Sequence, residues 1–146
     1  MRIINLIVIH CSATKEGKDY DVATVRKWHK QRGFRDIGYH LLIHLDGTVE
    51  RGRSMSKAGA HAKGYNSYSI GVCYVGGLDL NGKPKDTRTP EQRNTLRAIV
   101  ETIKALYPYA DVVGHRDLSV DLNGDGMISE DEWLKACPCF NVKTEL

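Results

Sequence analysis

Ile3-Ile4-Asn5-Leu6-Ile7-Val8-Ile9-His10 is the stretch that decides how this chain folds. An apolar run bounded by a histidine reads as a buried strand, Ile3 to His10, which delivers a neutral imidazole to the rim of a sheet. A second run, Asp111-Val112-Val113-Gly114, leads into His115 in the same way. Near the C-terminus, Lys135-Ala136-Cys137-Pro138-Cys139-Phe140 supplies thiols and a lysine. Two strand-end histidines and one thiolate would make a three-ligand zinc site with an open fourth position, the catalytic rather than the structural arrangement. Spacing alone leaves this open. The residues are far apart in the chain, and a strand-end histidine is more often held by a hydrogen bond than by a metal.

Working outward from the first strand, Asp21 precedes Val22, Val25, Trp28 and His29 at helical spacing, and Gly33 closes the segment as a C-cap. Tyr39 to Leu45 is apolar, Asp46-Gly47 is a hairpin turn, and Thr48-Val49-Glu50 returns. Ser69 to Val75 reads as another strand, stopped by Gly76-Gly77. Thr89-Pro90-Glu91-Gln92 combines an N-cap, a first-turn proline and a capping-box glutamine. Leu96, Ile99, Val100, Ile103 and Leu106 then share one helical face, and Tyr107-Pro108 ends it. The order is strand, helix, hairpin, strand, helix, strand, short helix. It predicts an α/β fold: one domain over residues 1–146, with a mixed central sheet flanked by helices.

A chain of 146 residues with ordinary composition buries a proper core as one domain, and a monomer is expected. Net charge is +3, unevenly spread. Asp117, Asp121, Asp125, Glu130, Asp131 and Glu132 crowd a short stretch that holds no lysine or arginine. The rest of the chain is therefore strongly basic, which suits an anionic polymer such as nucleic acid or cell wall. No nucleic-acid recognition motif supports the first of these. Cys11, Cys73, Cys137 and Cys139 do not read as a disulfide framework, since Cys73 sits in an apolar run and Cys137 and Cys139 are too close to bridge comfortably. A reduced, cytoplasmic site of synthesis without a signal peptide is expected. No run approaches the ~18 apolar residues of a membrane span.

Several segments together carry a resemblance. They are Ile9-His10-Cys11-Ser12-Ala13-Thr14, Trp28-His29-Lys30, Gly38-Tyr39-His40 and Asp46-Gly47-Thr48-Val49-Glu50. His61-Ala62-Lys63-Gly64-Tyr65-Asn66, Ser69-Ile70-Gly71-Val72-Cys73 and Lys135-Ala136-Cys137-Pro138 complete the set. With these, the chain resembles the zinc-dependent N-acetylmuramoyl-L-alanine amidases of the type-2 class, relatives of the peptidoglycan recognition proteins. The likeness is greatest to the amidase-type lysozymes of T-odd bacteriophages and covers nearly the whole chain. The resemblance implies zinc ligands at His10, His115 and Cys137, a catalytic tyrosine at Tyr39 and a catalytic lysine at Lys135. It also implies peptidoglycan as substrate, cut at the amide between N-acetylmuramic acid and L-alanine. His61, Lys63 and Asn66 fall in a groove-wall segment, where they would contact glycan or peptide. Strand alternation points His40 opposite to Tyr39, which leaves His40 a structural or a catalytic role. Cys139 stands where the family more often has a small residue, as a bystander or an alternative thiolate.

The chain departs from the phage pattern between His115 and Cys137, where the family's connection is much shorter. Asp121-Leu122-Asn123-Gly124-Asp125-Gly126-Met127-Ile128-Ser129-Glu130-Asp131-Glu132 has the EF-hand loop pattern. Asp121, Asn123, Asp125, the Met127 carbonyl and Glu132 would together hold calcium. No entering helix is legible before Asp121, so an acidic surface loop that turns without metal is the competing reading. Calcium, if held, would fix the placement of Lys135 and Cys137.

The function expected from these features is peptidoglycan hydrolysis in the manner of a phage or prophage endolysin. A holin or similar route would release the enzyme to the wall. The alternative is a peptidoglycan-binding receptor of the same fold without hydrolysis, which would have no need of all five of His10, His115, Cys137, Tyr39 and Lys135.

Overall fold

The computed structural model describes residues 2–146. Its centre is β1 (Leu6–Cys11), flanked in parallel by β5 (Ser69–Tyr74) and β7 (Asp111–Gly114). β3 (Leu41–Ile43) adds in parallel to β5, and β4 (Val49–Arg51) pairs antiparallel with β3 across the Asp46-Gly47 turn. The strand order is β4-β3-β5-β1-β7, the mixed sheet expected from the sequence. Ile7, Val8 and Ile9 are fully buried, as a central strand covered on both faces requires.

Strand β1 starts later than the apolar run suggests. Its partners begin at Ser69 and Asp111, both in register with Leu6, so Ile3 has no ladder to join and is 80% exposed. A second, two-stranded sheet went unread: β2 (Thr14–Lys15) pairs with β6 (Gly77–Leu78). Two-residue strands carry no periodicity to detect.

Helices cover both faces of the main sheet. α1 (Val22–Gln31) starts where the Asp21 carboxylate accepts the Thr24 amide, and Gly33 follows at φ 93°. It buries Val22 and Val25 against Ile37, Leu42, Cys73 and Val75. α2 (Pro90–Leu106) packs Leu96, Val100 and Ile103 on Ile7, Ile9, Ile70, Val72 and Tyr74. α3 (Val142–Glu145) closes the same face with Val142, beside Phe140.

The capping box at Thr89 forms as its residues predict. Thr89 Oγ accepts the Gln92 amide, and Gln92 Oε1 accepts the Thr89 amide at 2.9 Å. Gln92 is fully buried and does more than cap. Its Nε2 donates to the carbonyls of Val75 (3.0 Å) and Ile43 (3.3 Å), fastening the helix start to the ends of β5 and β3.

Candidate active site

Parallel strands present their carboxyl ends at one edge, the usual place for a site in an open α/β sheet. Here β1 and β7 are neighbours, with Ile9 opposite Gly114, so His10 and His115 emerge side by side with ring centroids 4.6 Å apart. Cys137 reaches them from the C-terminal segment. Tyr74 Oη donates to the Pro138 carbonyl at 2.6 Å, and the Arg116 amide donates to the Cys137 carbonyl at 2.8 Å, which pins that segment against the rim. The Cys11 amide donates to Cys137 Sγ at 3.2 Å and fixes the position of the sulfur.

One nitrogen from each histidine and the Cys137 sulfur all lie within 4.8 Å of one another, and Cys137 Sγ is 3.9 Å from His10 Nδ1. A tetrahedral zinc with bonds of ~2.0–2.3 Å sets its ligand atoms roughly 3.3–3.7 Å apart, so the group closes on such an ion by small side-chain movements. Two imidazoles and one sulfur are also the donor chemistry zinc prefers. Burial keeps both rings in the neutral form that ligation needs. It holds His10 well below the ordinary histidine value and His115 down to about 4, with the Lys135 charge pushing the same way. Cys139 does not join this group. Its thiol donates to the Gly77 carbonyl at 3.3 Å and lies 4.0 Å from Cys11 Sγ.

These residues form the floor of a groove of ≈ 720 Å³. Tyr39 and Lys135 line it. The Tyr39 ring sits 5.1 Å from that of His10 and 5.3 Å from that of His29, whose Nδ1 accepts the Gly38 amide at 2.8 Å. Burial, with nearby thiols adding, raises the Tyr39 phenol well above its ordinary value, so it stays protonated. No aspartate or glutamate lines the groove, whereas Arg32, Lys63 and Lys135 do.

Strand alternation does not decide how Tyr39 and His40 are placed. β3 begins only at Leu41, so alternation does not yet apply to the two residues before it. Tyr39 contacts the ring of His10, and His40 contacts that of His61, which in turn contacts His10. His40 is buried, its Nδ1 accepting the Gly71 amide at 3.0 Å and its Nε2 donating to the Lys57 carbonyl at 2.8 Å. That is a structural role.

His61, Lys63 and Asn66 line the groove together. The side-chain oxygen of Asn66 accepts the amides of His61 and Ala62, both at 2.9 Å, and so shapes the loop. His61 turns its ring inward onto His10, a contact that nothing in the sequence signals.

The segment between His115 and Cys137 is drawn together at its base. Arg116 stacks on Trp133 with its guanidinium carbon 3.8 Å from the ring centre, and the Leu134 amide donates to Ser119 Oγ. At its far end, carboxylate oxygens of Asp121, Asp125 and Glu132 lie within 4.8 Å of one another. Asn123 Oδ1 accepts the Asp125 amide, and Glu132 accepts the amides of Leu122, Asn123 and Ser129. No α-helix leads into this loop; a 3-10 turn at His115–Leu118 precedes it.

Three side chains that could hold a metal, with an ammonium and a phenol lining the same groove at the carboxyl rim of a mixed sheet, make this groove the candidate site of a hydrolytic enzyme. The family of N-acetylmuramoyl-L-alanine amidases matches residues 1–138, and the chain belongs to that family. By that membership it is an enzyme, an N-acetylmuramoyl-L-alanine amidase. It is 42% identical over 135 residues to the endolysin of Enterobacteria phage K11, spanning 92% of this chain and 80% of the phage protein. It is 43% identical over 137 residues to the endolysin of Escherichia phage T7, spanning 94% and 82%. Among solved structures, the N-acetylmuramoyl-L-alanine amidase LysC from Clostridium intestinale superposes with a TM-score of 0.71 at 28% identity, covering 94% of this chain and 78% of LysC. Bumblebee PGRP-SA superposes with a TM-score of 0.70 over 92% of this chain and 75% of its own; at 23% identity it speaks to the fold alone.

Proposed function

We propose that the chain hydrolyses the amide joining N-acetylmuramic acid to the L-alanine of the peptidoglycan stem peptide, with a zinc ion held by His10, His115 and Cys137. The observation that carries this reading is the convergence of those three donors on the groove floor, beside Tyr39 and Lys135. When bound, zinc supplies Lewis acidity toward a carbonyl and lowers the pKa of a water toward ~7.

The chain's own groups supply the rest. The Lys135 ammonium stabilises negative charge as it develops on the carbonyl oxygen. Tyr39, held protonated, acts as a hydrogen-bond donor that orients the attacking water or the carbonyl. His29 stands behind that ring and fixes it. Arg32 and Lys63 face the groove without a competing carboxylate and receive the carboxylates of the stem peptide. Asn66 and His61 shape the wall on the same side.

The Asp121–Glu132 loop is proposed to take calcium through Asp121, Asn123, Asp125, the Met127 carbonyl and Glu132. The loop pattern and the convergence of its carboxylates support this. Calcium added to chelator-treated protein should raise the melting temperature, and Asp121→Ala should remove that response. An unchanged melting temperature would leave the loop an acidic turn.

Among the described residues, no helix is long and apolar enough to cross a membrane. The enzyme is proposed to act on the cell wall after release by a holin or a similar route. Digestion of purified peptidoglycan followed by mass spectrometry tests the activity: stem peptides beginning in L-alanine are expected. Binding of peptidoglycan without such products would instead mark a receptor.

A further inference from the structure

We propose that His61 is a positioning residue for the metal ligand His10: it accepts the Nε2–H of His10 and so fixes which ring nitrogen faces the metal. The inference rests on the zinc reading above and concerns the shell behind it.

The two nitrogens of His10 have different neighbours. Nδ1 lies on the side of Cys137, and Nε2 lies 2.8 Å from Nδ1 of His61. A nitrogen that ligates a metal must offer a lone pair, so the proton of neutral His10 sits on Nε2. His61 Nδ1 is then the acceptor. The proton of neutral His61 therefore sits on Nε2, which donates to Ser69 Oγ at 3.2 Å. Each ring nitrogen has a single role, and the chain from metal position to Ser69 runs in one direction.

The rest of the fold holds this chain in place. Ser69 is fully buried at the start of β5 and pairs with Leu6 at the start of β1, the strand that carries His10. The His61 ring stands nearly perpendicular to the His10 ring, at 89°. It is clamped between two glycines: a Cβ on Gly59 or on Gly71 would come within 2.6 Å of its Cδ2. Asn66 fixes the backbone beneath it through the His61 and Ala62 amides.

Metal-bound histidines usually donate their second N–H to a carboxylate or a carbonyl. A neutral imidazole does the same work here without adding negative charge to a groove that no carboxylate lines. With both ring nitrogens committed inward, His61 has no polar atom left for substrate.

The test is zinc affinity of the chelator-stripped full chain, read by competition with a chromophoric chelator, and the visible spectrum of the cobalt-substituted protein. His61→Leu removes the acceptor and should weaken zinc binding about 10–100-fold and alter the cobalt spectrum. His61→Asn places an amide oxygen where Nδ1 stood and should stay within about threefold of wild type. Unchanged zinc affinity and cobalt spectrum in His61→Leu, with only KM raised, would make His61 a substrate contact and overturn the proposal. If His61→Leu does not fold, His61→Gln serves, because its amide reaches the place of Nε2 instead. It must bind zinc more weakly than His61→Asn, and equal affinity overturns the proposal. Zinc affinity in His10→Ala equal to wild type would overturn the zinc site itself, a different failure.

Discussion

Cys137 Sγ stands 3.9 Å from Nδ1 of His10, although 127 residues of chain separate them. Two independent fastenings produce this approach: the amide of Cys11, adjacent to His10, donates to the sulfur, and Tyr74 on the neighbouring strand holds the Pro138 carbonyl. The thiol is therefore placed by the same two strands that place the histidine.

Cys137 and Cys139 should separate cleanly on mutation. Cys137→Ser is expected to lose stoichiometric zinc and at least about 10²-fold in kcat, because a hydroxyl is a poor zinc ligand. Cys139→Ser, whose sulfur faces Gly77, should keep both zinc and activity. Metal analysis of the two purified variants decides it, and the reverse pattern would exchange the roles of the two thiols.

Tyr39→Phe and Lys135→Met should lower kcat by roughly 10²–10³-fold each, the usual effect of removing a donor to developing charge. Neither side chain is among the three donors, so bound zinc should be unchanged. Steady-state kinetics beside metal content checks this. A loss of zinc in either variant would mean that it acts through the metal site's structure.

Buried histidines should make the metal-free fold sensitive to acid. Burial lowers His115 and His29 to about 4 and His61 to about 3, against 6.5 for the free side chain. Above about pH 6.5 folded and unfolded chains are both neutral at these sites, and no stability is lost. Below it the unfolded chain takes up protons that the fold refuses, so stability falls as pH drops from 6.5 toward 4. Urea midpoints across this range should decline, and His29→Asn, which keeps an acceptor for the Gly38 amide, should flatten part of the slope. An unaltered slope in that variant would remove His29 from the explanation.

Gln92→Leu should destabilise the fold by about 1–3 kcal/mol. The Ile43 carbonyl would keep the Val75 amide, but the Val75 carbonyl would lose the Gln92 donor, and Thr89 would lose half of its capping box. Urea unfolding measures the loss. A neutral substitution would show that water or local relaxation replaces the bond.

Much of this architecture is legible in the residues. The Thr89-Pro90-Glu91-Gln92 start and the Asp46-Gly47 hairpin form as their local chemistry dictates, and strands do lead to His10 and His115, although β1 begins only at Leu6 and β7 is only partly buried. The meeting of His10, His115 and Cys137 is different. Spacing leaves it undetermined, because it depends on β1 and β7 being neighbours, and the family resemblance supplied what spacing withheld. The His61 contact stays illegible, since a loop histidine has no period that says which way its ring turns. For His40 the sequence left a structural and a catalytic role open, and only its buried hydrogen bonds to Gly71 and Lys57 decide for the structural one.

The most direct measurement is digestion of purified peptidoglycan by chelator-stripped protein titrated with zinc, with new L-alanine N-termini counted by mass spectrometry. One equivalent of zinc should restore their release in the wild type and leave Cys137→Ser inactive. Cleavage that proceeds undiminished in the stripped protein, or products cut between sugars, would contradict a zinc amidase built on His10, His115 and Cys137.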